Sequence, residues 1–196
     1  MEQVTDPVRA YLAEVSDLLT KLPLSTIDTV IKLLWQAYEG GKQVFVLGNG
    51  GSAATASHFA CDLGKGTAQP GQARFRVLSL TDNVPLITAW ANDSDYQHVF
   101  AEQLANLVQR DDVVIAISGS GNSPNVLNAV RLAREQGAIT VGLCGFQGGQ
   151  LAHLAHYAVV VPSKTITQAE DVHLILVHLI TDGLKRRLMA RGEKKA

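Results

Sequence analysis

The sequence carries no marked excess of charge. Seventeen lysines and arginines stand against eighteen aspartates and glutamates, a formal net charge of -1 at pH 7. So little imbalance gives no reason to expect nucleic acid or an anionic membrane surface as the main partner. No apolar run approaches the ~20 residues that a membrane-spanning helix needs. The opening Met1-Glu2-Gln3-Val4-Thr5-Asp6 has no basic segment leading into an apolar one, so no signal peptide is expected. Cysteine is scarce: Cys61 and Cys144 fall in different expected elements, and neither belongs to a C-x-x-C pair. Free thiols in a reducing cytoplasm fit this best. No repeat and no low-complexity segment interrupts the chain. With 196 residues, 46% hydrophobic and 18% charged, the composition is that of one domain with a real core.

Residues 7–39 read as two helices. Val8, Tyr11, Leu12, Val15, Leu18 and Leu19 recur at helical spacing. Pro23 interrupts, and Ser25 reads as the cap of a second helix that carries Ile27, Val30, Ile31, Leu34 and Trp35 through Tyr38, ended by Gly40-Gly41. A helical pair placed before the first strand must bury its apolar stripe on the domain or on another subunit. From Gln43 onward strands alternate with helices. Strands are expected at 43–47, 74–80, 112–117, 139–144 and 157–161. Helices are expected at 50–64, 84–92, 95–109, 123–136 and from about Thr167 to Ala190. The tail from Arg191 to Ala196 reads as a frayed, solvated end. Continuous Val/Ile/Leu strands separated by helices predict an α/β fold, a three-layer αβα sandwich around a five-stranded parallel sheet, preceded by the helical pair.

Two loops follow strands and open helices: Gly48-Asn49-Gly50-Gly51-Ser52 and Ser118-Gly119-Ser120-Gly121-Asn122-Ser123. Such turns are anion sites, because glycines admit close approach, free N–H groups point outward and the helix dipole favours negative charge. Serine hydroxyls add donors without bulk. The first loop lacks the third glycine of a dinucleotide fingerprint and the Gly-Lys-Ser/Thr of a Walker loop. A serine cradle without lysine suits one monophosphate. One such loop alone reads more simply as a tight turn; two serine-bearing loops favour a phosphorylated small molecule as the ligand.

His58 and Asp62 lie four apart on the first core helix, on the face that begins at the first loop. Glu170, Asp171, His173 and His178 lie on the last helix. Two histidines and two carboxylates can bind Zn²⁺ or a similar ion, or they can be an acid–base set moving protons on a bound sugar. His98, His153 and His156 read as ordinary surface or core residues. Asn92-Asp93 follows an apolar helix and reads equally as a cap for the next one or as a pair that binds substrate hydroxyls.

The ordered set Gly48-Asn49-Gly50-Gly51-Ser52, His58-Phe59-Ala60, Ala91-Asn92-Asp93, Ser118-Gly119-Ser120-Gly121-Asn122-Ser123-x-Asn125-Val126, then His173 and His178, resembles the sugar isomerase (SIS) domain family. Within it, the set is similar to the branch that isomerises sedoheptulose 7-phosphate. The resemblance spans nearly the whole chain, residues 1–196, with 1–40 as a helical pair used in oligomerisation and 41–190 as the α/β core. It implies that Ser52, Ser118, Ser120 and Ser123 hold the sugar phosphate. It implies that Asn49, Gly50, Gly51, Asn92 and Asp93 line the substrate site, with Gly119 and Glu170 beside them. Zinc is implied at His58, Asp62, Glu170 and His178, with Asp62 and His178 as the acid–base pair. A homotetramer with active sites at subunit interfaces is implied as well.

Two of these positions depart from the family pattern, which has glutamate where this chain has Asp62 and glutamine where it has Glu170. Asp62 is one methylene shorter, and Glu170 adds a negative charge that would tighten a divalent ion. The expected activity is aldose–ketose isomerisation of a sugar phosphate, sedoheptulose 7-phosphate giving a heptose 7-phosphate. The competing expectation is a non-catalytic member of the family, either a partner of a replication initiator or a sugar-phosphate sensor. Retention of His58, an acidic residue at 62 and His178 favours the enzyme.

Overall fold

A computed structural model describes residues 6–193. Helix α1 (Pro7–Thr20) starts on Asp6, whose side chain accepts from the Val8 N–H, with proline at the first helical position. Helix α2 (Leu24–Glu39) follows, and here Pro23 rather than Ser25 stands at the start, with no side-chain cap. Ser25 falls inside the first turn.

The core then runs β1 (Gln43–Gly48), α3 (Gly51–Cys61), a π-helical turn (Asp62–Gly66), β2 (Arg76–Ser79), α4 (Val84–Asp93), a 3₁₀ turn (Tyr96–His98) and α5 (Ala101–Ala105). It continues with β3 (Val113–Ser118), α6 (Pro124–Glu135), β4 (Ile139–Cys144), α7 (Gly149–Leu154), β5 (Tyr157–Val160) and α8 (Ile166–Glu193). The continuous helix expected over 95–109 is instead a 3₁₀ turn and one short helix. The six-residue α7 carries too few turns to show a period. Helix α8 continues through 191–193, where the composition predicts a frayed end, and residues 194–196 of that expected tail lie outside the described residues.

The five strands pair in parallel in the order β2-β1-β3-β4-β5. Alternation along each strand feeds two cores. Val44 and Val46, with Val113, Ile115 and Ile117, face the layer of α1, α2, α3 and α8. Phe45 and Leu47, with Val114 and Ala116, face the layer of α5, α6 and α7. Phe59, Phe45 and Phe100 are among the largest fully buried side chains, each worth about 1.5–3 kcal/mol of transfer out of water.

Of the two destinations open to the helical pair, α2 takes the first. Ile27, Val30, Leu34 and Tyr38 are buried in the core of their own chain. Helix α1 buries Leu18 but leaves Val8 and Leu12 exposed, and it is tied down by Tyr11, whose hydroxyl donates to Asp171 on α8 at 2.5 Å. That hydrogen bond raises the tyrosine pKa above its ordinary value.

Candidate active site

In the order β2-β1-β3-β4-β5 the chain reverses direction between β1 and β3. Helix α3 leaves β1 toward one layer and α6 leaves β3 toward the other. Their loops therefore diverge and open a crevice at the carboxyl ends of the strands, where α/β folds bind ligands. Both glycine–serine loops flank it. Gly50 sits at φ 56, ψ -123, a conformation that glycine alone adopts without strain. Gly121, at φ 66, runs so close to the next loop that a Cβ there would lie 2.0 Å from the Gly148 carbonyl oxygen.

Asn49, Ser52, Ser118, Gly119, Ser120, Ser123 and Glu170 line one cavity of about 150 Å³ at this crevice. The serines expected to hold phosphate thus come from both loops to one cradle. Ser118 and Ser123 stand 3.5 Å apart, oxygen to oxygen, and the Ser118 hydroxyl accepts from the Gly121 N–H at 3.1 Å. Ser123 occupies the start of α6 yet makes no capping bond, so its hydroxyl is not spent on holding the helix. Ser123→Ala is accordingly expected to leave the melting temperature nearly unchanged, and Ser120→Ala, which removes only an exposed acceptor for the Asn122 N–H at 3.2 Å, to leave the protein folded. Each should weaken binding of a sugar phosphate by about 1.5–3 kcal/mol, the cost of a charge-assisted hydrogen bond. Titration calorimetry reads this directly, and unchanged affinity in both variants would remove the phosphate assignment.

The second cluster lies on α3, the π-helical turn and α8. His58 Nε2 is 3.3 Å and His178 Nε2 3.8 Å from Asp62 Oδ2, and the two Nε2 atoms are 2.9 Å apart. The π turn begins at Asp62 and widens the helix by one residue, which closes with the Thr67 N–H on the Asp62 carbonyl at 3.1 Å. Such turns recur at functional sites because they re-aim a side chain without ending the helix. Side-chain exposures of 47% for His58, 27% for Asp62 and 55% for His178 leave the cluster open to water within one subunit.

Two imidazole nitrogens and a carboxylate oxygen, all within 4.8 Å of one another, make a donor set for a divalent ion. Nitrogens bound tetrahedrally to Zn²⁺ at ~2.0–2.1 Å stand ~3.3 Å apart, so a small opening of the histidine pair accommodates it. Three protein ligands with one open position is the catalytic form of a zinc site. Glu170 stands outside this set. Its carboxylate packs over Gly51, where an added Cβ would lie 2.7 Å from Oε1, at the start of α3 and on the wall of the serine cradle.

His173, on the same helix, points into the core. It is fully buried, neither ring nitrogen has a hydrogen-bond partner among the described residues, and burial pushes its pKa below the ordinary histidine value. Asp171 is taken by Tyr11. Asn92 and Asp93 lie within the last turn of α4, bonded to each other at 2.7 Å, and line neither the cradle nor the groove beside it. The next turn is capped by Asp95, which accepts from the Gln97 N–H, so Asn92-Asp93 is not a cap. His156 is a satisfied structural residue, its Nδ1 3.0 Å from the Thr140 N–H. Cys61 is exposed and Cys144 buried, both free, and burial pushes the Cys144 thiol up to about 12.

A groove of about 520 Å³, lined by Asn49, Tyr96, Gln97, Ser123 and Asn125 among others, adjoins the cradle. Tyr96 carries no sequence signal, being an isolated aromatic in a connecting segment. Asn125 stands inside the second loop's motif, but the motif gives it no role.

The family model described as SIS domain matches residues 10–145. A phosphoheptose isomerase of Geobacter sp. (strain M21) is 33% identical over 98% of this chain and 99% of its own length. That of Sulfurimonas denitrificans is 37% identical over 86% of each. Among solved structures, the phosphoheptose isomerase of Neisseria gonorrhoeae superposes with a TM-score of 0.85 at 29% identity, over 93% of this chain and 98% of that one. A parallel sheet in this order, a serine cradle at its switch point and a match this long share one explanation: the chain belongs to the SIS domain family, alongside the phosphoheptose isomerases.

Proposed function

We propose that this protein is an aldose–ketose isomerase that interconverts sedoheptulose 7-phosphate and D-glycero-D-manno-heptose 7-phosphate. The observation that carries the reading is the meeting of His58, Asp62 and His178 within 4.8 Å in a chain whose relatives are phosphoheptose isomerases. The serines of the cradle hold the phosphate and fix the far end of the open-chain sugar. The Asp62 carboxylate takes the proton from C1 of the ketose and returns it to C2. His178 moves the O1 proton to O2, so that C1 becomes the aldehyde through an enediol with no net gain or loss of protons. His58, Asp62 and His178 would hold a Zn²⁺ ion, which supplies Lewis acidity to the carbonyl and stabilises oxyanion charge; Glu170 would have to swing from Gly51 to join them.

We further propose a cytoplasmic homotetramer with the sites at subunit interfaces, the helical pair 1–40 contributing to assembly on the α/β core of 41–190. The two unpaired thiols support a reducing compartment. The exposed Val8 and Leu12 of α1 and the openness of the cluster support a covering neighbour. A sensor or a structural partner would have no use for a carboxylate held between two imidazoles, and this disfavours the non-catalytic reading.

The test is turnover by the purified protein against a panel of ketose phosphates, with and without added Zn²⁺. Formation of the aldose phosphate from sedoheptulose 7-phosphate, above every other ketose in the panel, is expected. Binding without turnover of any member under either condition would transfer the protein to the sensor reading.

A further inference from the structure

The two loops of the crevice are clasped by a pair of side-chain amides. Asn49, on the first loop, donates from Nδ2 to Asn125 Oδ1 at 2.8 Å. Asn125, in the first turn of α6, donates from its own Nδ2 to Asn49 Oδ1 at 2.9 Å. Asn125 is 2% exposed.

The orientation of both amides follows from one backbone group. The Val126 N–H, 2.9 Å from Asn125 Oδ1, belongs to the first turn of α6 and has no carbonyl within the helix to bond. It therefore requires an acceptor, which fixes the oxygen of Asn125 on that side and turns its nitrogen toward Asn49. Asn49 must then present its oxygen to that nitrogen and its own nitrogen to Asn125 Oδ1. The Tyr96 hydroxyl, donating to Asn49 Oδ1 at 3.0 Å, takes the remaining lone pair. Every acceptor of the pair is used. One hydrogen on Asn49 Nδ2 is left without a partner among the described residues. Asn49 lines both the cradle and the adjoining groove.

We propose that Asn125 is a positioning residue of the active site: it locks the Asn49 carboxamide so that a donor, not an acceptor, is offered to the sugar phosphate, and it ties the two loops to one spacing. Asn125 touches the substrate nowhere in this scheme and acts through Asn49. The activity readout rests on the isomerase reading; the positional claim does not.

The experiment is a double-mutant cycle of Asn125→Asp and Asn49→Ala, read by kcat/KM on sedoheptulose 7-phosphate. Aspartate keeps the volume of asparagine and the acceptor for Val126, and a negative charge in a first helical turn is favourable. It cannot donate to Asn49 Oδ1, so the Asn49 amide loses its fixed sense. With Asn49 intact, we expect Asn125→Asp to cost at least about tenfold, the scale of one hydrogen bond to substrate. In the Asn49→Ala background it should cost nothing further. Any repulsion between the new charge and phosphate is present in both backgrounds and cancels in the cycle. Equal losses in the two backgrounds, or none in either, would overturn the proposal. Asn125→Ala runs the same cycle should the aspartate variant not fold. A crystal structure of whichever variant folds tests the positional claim without any substrate. An Asn49 side chain displaced or turned is expected, and an unmoved one overturns it even if the wild type proves to isomerise nothing.

Discussion

Asp62→Asn is expected to lower kcat on sedoheptulose 7-phosphate by about 10²–10⁴-fold, the range for loss of a general base, with substrate affinity nearly unchanged. The amide matches the carboxylate in size but accepts no proton at neutral pH. Asp62 has a second duty in the proposed site, as one of three groups that would hold a metal, so the loss is measured at saturating Zn²⁺. Activity restored by added Zn²⁺ would make Asp62 a ligand only. Activity unchanged without it would put the base elsewhere, with Glu170, the other carboxylate at the crevice, next in line.

Asp62→Glu separates two accounts of the shortened side chain. The aspartate carboxylate falls short of a glutamate by about one carbon–carbon bond, ~1.5 Å, and proton transfer needs heavy atoms at roughly 3 Å. The π-helical turn at Asp62–Gly66 shifts the backbone at this residue. If the turn compensates for the lost methylene, glutamate overshoots and kcat falls. If reach limits the wild type, glutamate keeps or raises activity.

The sheet is legible in the sequence because Val/Ile/Leu runs such as Val113–Ile117 lie buried on both faces, and only a sheet covered by helices on both sides asks for that pattern. Both glycine–serine loops are legible for a related reason: small residues between a strand and a helix mark a tight turn that leaves backbone N–H groups free. The last helix misleads over His173 and Asp171. Spacing puts a residue on a face but does not say which face meets the core. On α8, Val172, His173, Leu176 and Val177 turn inward while Leu174, Ile175, His178 and Leu179 turn outward, so His173 joins the core and His178 meets His58 and Asp62 at the surface. Glu170 is expected among the ligands from its place on the last helix beside His178, and from resemblance to a family with glutamine there. A carboxylate has a competing attraction to the start of α3, and it rests against Gly51. Tyr96 and Asn125 act through side-chain hydrogen bonds across distant segments, which no local pattern encodes.

The outward stripe of α8 carries the last expectation. Leu174, Ile175 and Leu179 are 37%, 37% and 40% exposed beside His178, and α4, an apolar helix led by Val84 at 60% exposure, packs Ile87, Trp90 and Ala91 on the core only in part and buries no residue fully. A large side chain left this way forgoes much of the about 1.5–3 kcal/mol that full burial provides. A second copy seated on the stripe would recover it and would also cover His58, Asp62 and His178. Ile175→Glu combined with Leu179→Glu is therefore expected to convert the proposed homotetramer into smaller species by light scattering. Each 1.4 kcal/mol lost at the interface raises the dissociation constant about tenfold, and a carboxylate buried without a partner costs more than that. The catalytic loss should be about 10²-fold, the scale on which a site left open and misplaced loses rate. Neither substitution touches the core that holds the subunit together, since both positions face away from Val172, Leu176 and Ile180. The melting curve of the dissociated protein should stay cooperative. A variant that dissociates yet keeps full activity would show the site complete in one subunit. A variant that stays tetrameric would move the interface off α8, and α1, with Val8 and Leu12 exposed, would be the next surface to carry the charge.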